Sequence, residues 1–154
     1  MGKEIERKFL VNEELLPPLG EGNYISQGYI DTKDNTVVRA RIKGDVGYLT
    51  LKGESDGISC LEFEYEIPLL DAQEIIEDLC KGKSIEKTRY ELKIGGHLWE
   101  IDRFHGENEG LIIAEVELED ENDEVELPEW IKKEVSGKVQ YYNSSLLIHP
   151  YKNW

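Results

Sequence analysis

The 154-residue sequence contains only two cysteines, Cys60 and Cys80, and no run of apolar residues long enough to cross a membrane. Because a membrane-spanning helix needs about 20 consecutive apolar residues, we expect none. The two cysteines lie far apart in the sequence and away from any histidine cluster, which argues against a zinc site. A chain of this length needs no disulfide framework, so we expect two free thiols in a cytoplasmic protein.

Positive charge is also scarce, since 18 lysines and arginines face 33 aspartates and glutamates, for a net charge of −15. This excess argues against a surface that coats nucleic acid. The N-terminus, MGKEIERKFLV, lacks the apolar run of a secretory signal, and glutamate at position 6 excludes a myristoylation motif. With no linker, low-complexity segment or long repeat, we predict a single domain over residues 1–154, present as a monomer or homodimer.

Short segments with alternating apolar and polar residues dominate the sequence. Turn residues such as Gly44-Asp45 and Gly95-Gly96 separate several of them, and this pattern predicts antiparallel strands joined by hairpins. The predicted strands are Glu4–Val11, Tyr24–Asp31, Thr36–Lys43, Gly47–Lys52, Leu61–Ile67, Glu86–Lys93, His97–Phe104 and Leu111–Leu118.

Helical patterns are fewer and shorter. One predicted helix has Asp71 as its N-cap and ends near Gly82. A second is expected after Pro128 and stops at Gly137, and a short third follows Asn143. All three are amphipathic enough to pack on the outside of a β-barrel.

The polar faces of the predicted strands carry full charges at i, i+2 spacing. Arg39 and Arg41 share one face of the third strand, and Glu62 and Glu64 share one face of the fifth. On a single strand such a pair most often marks a solvent-exposed face, but acidic and basic pairs segregated over seven strands need another explanation. Like charges two residues apart repel each other, so we expect a further group to compensate them.

A barrel with a charged interior satisfies this pattern. We therefore predict a mainly β (α+β) fold, an eight-stranded antiparallel β-barrel tunnel with its apolar faces turned outward to covering helices. Burying an unpaired charge costs several kcal/mol, so the tunnel should be wet and its charges paired with each other or with ligands. Carboxylates bind Mg²⁺ or Mn²⁺, and arginine and lysine bind phosphate oxygens. Both clusters in one cavity predict a metal-bound polyphosphate ligand.

Seven charged motifs resemble, in chain order, those of the CYTH proteins, also called triphosphate tunnel metalloenzymes. They are EIERKFLV, VRARI, LTLKG, LEFEYEIP, IEKTRYEL, WEIDRFHG and AEVELED. The resemblance continues in WIKKEVSG and YYNSSL and so covers essentially the whole chain. It implies an eight-stranded tunnel that acts on a small-molecule triphosphate with a divalent metal. The short loops favour hydrolysis of inorganic tripolyphosphate, with nucleoside triphosphates as further substrates.

The resemblance also implies residue roles. The metal ligands for one or two Mg²⁺ or Mn²⁺ ions would be Glu4, Glu6, Asp102, Glu115 and Glu117. The substrate-binding residues would be Lys8, Arg39, Arg41, Lys52, Lys87 and Arg89, together with Glu62 and Glu64, which either orient the bases or hold a water or second metal. The residues expected to act in catalysis, an in-line attack of water on a terminal phosphorus, are Glu4, Glu6, Lys8 and Lys87.

Other readings of the same charges stay open at this point. A class IV adenylyl cyclase would use the same charged interior to make cyclic AMP from ATP, and would also need a pocket for adenine and ribose. A module that binds polyphosphate or nucleotide without turnover would need the basic residues but not the full set of carboxylates. A barrel whose ion pairs have only a structural role would tolerate neutralisation of Glu4, Glu6 or Arg39 with little change in stability.

Overall fold

The strands of the computed structural model, which describes residues 2–154, form one closed antiparallel barrel. They are β1 (Lys3–Val11), β2 (Asn23–Ile30), β3 (Val37–Lys43), β4 (Val46–Lys52), β5 (Ser59–Ile67), β6 (Ile85–Ile94), β7 (His97–Phe104), β8 (Ile112–Glu117) and β9 (Ile131–Glu134). The barrel order is β5, β4, β3, β2, β6, β7, β8, β1, and pairing of β1 with β5 closes the ring. The eight predicted strands are confirmed.

The helices are short. α1 (Leu69–Glu74) continues into a π-helical turn (Ile75–Leu79), and α2 (Asn143–Ile148) lies near the C-terminus. Single 3₁₀ turns occur at Glu13–Leu15, Gly106–Asn108, Val139–Tyr141 and Tyr151–Asn153. No helix in the described part of the chain is long and apolar enough to cross a membrane.

The first helix differs at its start from the prediction. It begins directly after Pro68, and Asp71, the predicted N-cap, lies within the first turn. Pro68 suits this position because its fixed backbone angle and missing N–H cost nothing at a helix start. α1 packs on the outside of β4, where a methyl group on Gly47 would lie 2.9 Å from Cβ of Ala72, so glycine is needed for this close approach.

The helix predicted after Pro128 is wrong, because this segment forms β9. The register of β5 leaves the second half of β1 without a partner on that side, since β5 pairs only with Lys3 to Ile5 of β1. β9 supplies the missing partner, and Val135 donates from its backbone N–H to the carbonyl of Lys8 at 2.8 Å. Satisfying these backbone groups of β1 outweighs the local helical pattern.

The main apolar core lies outside the barrel wall. Phe9 of β1, Trp99 of β7 and Val116 of β8 are almost completely buried in it, and Trp130 covers them. The Trp99 and Trp130 rings meet edge to face, with centroids 5.6 Å apart. This cover comes from the segment around β9 and from loops, whereas the prediction assigned it to helices.

Part of the outer face is left uncovered. On β5, the outward side chains of Leu61, Phe63 and Tyr65 are 59%, 43% and 57% exposed. The predicted helical cover is therefore found over the start of β4, next to α1, whereas Leu51 farther along β4 is 38% exposed and these side chains of β5 are exposed as well.

A second apolar cluster fills one end of the barrel interior. Ile85, Phe104 and Ile113 lie on the same strand faces as the charged residues Lys87, Asp102 and Glu115, two positions away along each strand. Leu146 of α2 and Val135 pack against them from the C-terminal segment. The charged faces thus become apolar at one end, where the C-terminal segment seals part of the tunnel.

We expect replacement of Trp130 by alanine to lower the free energy of unfolding by about 3–5 kcal/mol, because it leaves a cavity against Trp99. Urea denaturation of both proteins measures the difference. Trp154→Ala is the matched control, since Trp154 is 42% exposed and its loss should cost much less. Equal losses in the two variants would contradict the placement of the core around Trp130.

Candidate active site

The barrel encloses a cavity of about 1240 Å³ that is lined by residues from all eight barrel strands. Segments 31–36, 53–58 and 136–148 border it. All six basic residues predicted to bind substrate line it, namely Lys8, Arg39, Arg41, Lys52, Lys87 and Arg89. The acidic residues that line it are Glu4, Glu6, Glu62, Glu64, Glu100 and Glu115, together with three aspartates and Glu54 in the bordering segments.

Asp102 lies beneath the cavity and binds two of its bases. Its Oδ1 accepts from Arg89 Nε at 2.7 Å, and its Oδ2 accepts from Lys87 Nζ at 2.7 Å and from Arg89 Nη2 at 2.8 Å. Asp102 is fully buried. Both of its oxygens therefore already bind bases, and a single lone-pair site, on Oδ1, is left for a metal.

The opposite wall pairs acids with bases across β1, β3, β4 and β5. Lys52 Nζ lies 2.8 Å from a Glu4 oxygen and 3.6 Å from a Glu62 oxygen. Arg39 Nη2 lies 3.2 Å from Glu64, which also accepts from the Thr50 hydroxyl at 2.7 Å. Within residues 2–154 the buried Nε of Arg39 has no hydrogen-bond partner, so this arginine keeps donor capacity for a ligand.

A neutral network that the sequence analysis missed joins the remaining wall to the C-terminal helix. Arg41 Nε donates to Gln27 Oε1 at 2.8 Å, and Gln27 Nε2 donates to Asn143 Oδ1 at 3.1 Å and to the Tyr29 hydroxyl at 2.6 Å. Lys87 Nζ donates to the same Asn143 oxygen at 2.8 Å. Paired charges along strands mark the other site residues in the sequence, whereas uncharged Gln27 and Asn143 give no such signal.

Crowding of carboxylates changes their protonation. Burial raises the pKa of Glu4 to about 7, with a hydrogen bond that protonated Glu4 donates to Glu62 adding to the effect and Lys52 opposing it. Burial and the neighbouring Glu115 and Glu4 raise the pKa of Glu6 well above its usual value. Protons therefore compensate part of the charge of these carboxylates.

Burial also changes the pKa values of basic residues in the cavity. Burial lowers the pKa of Lys87 to about 7 even though Asp102 acts in the opposite direction. Burial, with Arg39 and Arg89 nearby, lowers the pKa of Arg41 to about 10. Burial would raise the pKa of Asp102, but Arg89 and Lys87 bring it down to about 2.

The carboxylates that fit a divalent cation are Glu4, Glu6 and Glu115, with Glu117 in an adjoining recess of about 150 Å³ that it shares with Glu4 and Glu62. Glu6 shares hydrogen bonding with Glu115, and closely placed hard oxygen donors suit such an ion. In the part of the chain that the structure describes, no three of these side chains already form a ligand set. Ligation would therefore require them to move.

The two cysteines line the cavity but add no nucleophile to it. Cys60 and Cys80 are free thiols, and burial raises the pKa of Cys60 to about 11, which makes it a poor nucleophile. Lys132 and Lys133 are exposed. Tyr142 is a further site residue, because its ring centre lies 5.5 Å from Lys8 Nζ.

Comparison with known proteins agrees with this geometry. A model of the CYTH domain family matches residues 2–151. The chain is 52% identical to the inorganic triphosphatase of Acetivibrio thermocellus, with 100% of this chain and 99% of that protein covered. It is 36% identical to the inorganic triphosphatase of Nitrosomonas europaea, with 94% and 97% covered.

The fold is also that of solved structures. The crystal structure of an inorganic triphosphatase matches with a TM-score of 0.66 and 34% identity, covering 96% of each chain. A Pyrococcus horikoshii protein shares the fold with a TM-score of 0.59 at 21% identity, covering 77% of this chain and 80% of that one.

The raised pKa of Glu4 predicts a pH-dependent stability for the metal-free protein. Between its usual pKa of 4.5 and about 7, Glu4 binds more protons in the folded than in the unfolded state, so stability falls as pH rises through this range. We expect Glu4→Gln to reduce the loss of unfolding free energy between pH 5 and 7.5 by about 1–3 kcal/mol. Urea denaturation in EDTA measures it.

Glu74→Gln on the exposed side of α1 is the control for this prediction, and it should keep the pH dependence of the unmodified protein. An unchanged pH dependence in Glu4→Gln would show that Glu4 ionises normally in the folded protein.

Proposed function

Because this chain belongs to the CYTH domain family, we propose that it is an inorganic triphosphatase that releases phosphate from tripolyphosphate with the help of a divalent metal ion. One observation carries the proposal: six basic side chains from four strands line one cavity, and six carboxylates from the barrel strands line the same cavity. A polyanion fits the bases, and a cation fits the carboxylates.

The bases are proposed to hold the phosphate chain. Arg39 and Arg89 present planar guanidinium groups that match phosphate oxygens, and the free Nε of Arg39 gives one unused donor. In phosphoryl transfer, charge spreads over the oxygens of the transferring group, so fixed cations around it stabilise the transition state. Lys8, Arg41 and Lys52 would place further cations along the phosphate chain.

The carboxylates are proposed to hold the metal. Glu4, Glu6, Glu115 and Glu117 offer the hard oxygen donors that Mg²⁺ or Mn²⁺ prefers, and one or two ions are consistent with this number of donors. A bound ion would supply Lewis-acid polarisation of the phosphoryl oxygens. The assignment of Asp102 as a further ligand stays a prediction, since in this structure it orients Lys87 and Arg89.

The proposed reaction is attack of water on a terminal phosphorus, with cleavage of the bond to the bridging oxygen and release of phosphate and pyrophosphate. Burial brings the pKa of Lys87 to about 7, so its Nζ can carry or give up a proton at neutral pH. Lys87 and Lys8, with Glu4 and Glu6, are the residues to which we assign the catalytic step. The two free thiols fit a cytoplasmic protein. We propose that this protein is a monomer or a homodimer.

Phosphate release from tripolyphosphate and from ATP, with Mg²⁺, Mn²⁺ or EDTA, tests the proposal. We expect metal-dependent release that is fastest with tripolyphosphate and falls at least about 100-fold in Glu4→Gln and in Arg39→Ala, because each removes a charge opposite the ligand. Glu107→Gln is the matched control, since it neutralises a carboxylate whose ion pair with Lys152 is exposed, and it should retain normal activity.

Other products would redirect the assignment. Cyclic AMP and pyrophosphate from ATP would identify a cyclase. Metal-dependent binding of tripolyphosphate without release of phosphate would identify a binding module. A protein that neither binds tripolyphosphate nor releases phosphate from it would contradict the triphosphate proposal altogether.

A further inference from the structure

We infer that Asn143, the first residue of α2, is a positioning residue that aims the ammonium group of Lys87 into the cavity, so that the C-terminal segment is part of the active site. This inference rests on the proposed function, because it concerns how Lys87 meets a phosphate oxygen. It assigns a role to a residue that carries no charge and lies outside the barrel strands.

The geometry around Lys87 carries the argument. A lysine ammonium has three N–H donors. One is directed to Asp102 Oδ2 at 2.7 Å and a second to Asn143 Oδ1 at 2.8 Å. Two fixed acceptors determine the direction of the third donor, and Lys87 lines the cavity although only 1% of the residue is exposed. The ring centre of Phe104 lies 5.5 Å from Nζ but offers no oxygen or nitrogen acceptor, so the third N–H can serve a ligand in the cavity.

The amide of Asn143 is itself fixed. Its Oδ1 also accepts from Gln27 Nε2 at 3.1 Å, so two donors converge on one oxygen and set the orientation of the amide. Gln27 is completely buried and its Oε1 is bound by Arg41, which links a second cation to the same network. Asn143 thus contacts Lys87 itself and Gln27, which binds Arg41.

The helix that carries Asn143 is anchored in the barrel. Leu146, one turn later in α2, is 1% exposed and packs in the apolar cluster at the closed end of the tunnel with Ile85 and Phe104. Ile85 lies two positions before Lys87 on the same face of β6, so the packing of α2 and the position of Lys87 depend on adjacent residues of one strand. Docking of α2 therefore places the Asn143 oxygen against Lys87.

A double-mutant cycle on tripolyphosphate binding tests the inference. Isothermal titration calorimetry in EDTA, where no metal is available for turnover, gives the Kd of the unmodified protein, Asn143→Leu, Lys87→Met and the double variant. We expect Asn143→Leu to raise the Kd about 5- to 10-fold in the unmodified protein and less than about twofold when Lys87 is already replaced. Asn143→Ala provides a smaller side chain for the same cycle should the leucine variant fail to fold.

Steady-state kinetics add a second readout with a matched control. Asn108 also holds the C-terminal segment, because its Oδ1 accepts from the backbone N–H of Tyr151 at 2.8 Å, but it is not among the hydrogen-bond partners of Lys87. With tripolyphosphate and Mg²⁺ we expect kcat to fall about tenfold in Asn143→Leu, whereas Asn108→Leu keeps kcat and KM within about twofold.

Two results would overturn the inference. One is an Asn143→Leu protein with unchanged Kd and kcat, and the other is the same loss of binding with and without Lys87. A purely structural role predicts equal kinetic losses in Asn143→Leu and Asn108→Leu. If the unmodified protein releases no phosphate, the proposed function fails, while the calorimetric cycle still decides the role of Asn143.

Discussion

Charges inside a closed barrel must be compensated, and this constraint governs the rest of the structure. Removing an ion from water costs several kcal/mol unless a partner or a ligand replaces the lost solvation. Here the partners come from neighbouring strands, as in the pairs Arg89–Asp102 and Arg39–Glu64. At Glu4 and Glu6, burial and neighbouring carboxylates outweigh the effect of Lys52 and raise the pKa. With the charged faces turned inward, the strands must bury their apolar faces outside, against Trp130 and its neighbours.

Much of this arrangement could be predicted from the sequence because it depends on a local property. Side chains alternate between the two faces of a strand, so Arg39 and Arg41 share a face whichever strands pair with theirs. Antiparallel hairpins then place neighbouring faces side by side. All eight barrel strands could be predicted in this way, and the six basic residues lie in one cavity as expected.

What the sequence could not predict depends on contacts between distant segments. Trp130, Ile131 and Val135 have helical spacing, and only the unpaired side of β1 makes this segment a strand. Gln27 and Asn143 carry no charge, so nothing in their local sequence separates them from ordinary polar residues. The three hydrogen bonds that Asp102 accepts from Lys87 and Arg89 depend on the register of β6 against β7, which the alternation of side chains leaves undetermined.

The ion pair between Lys52 and Glu4 has a consequence for how ligands bind together. The two groups lie 2.8 Å apart and act as each other's counterion, so a ligand for either one must first break the pair. An anion that binds Lys52 leaves Glu4 uncompensated and raises its affinity for a cation. Linkage is reciprocal, so occupancy of Glu4 by a cation increases the affinity of Lys52 for an anion by the same factor. A tunnel that binds a cation at Glu4 and an anion at Lys52 would therefore favour their complex over either ion alone.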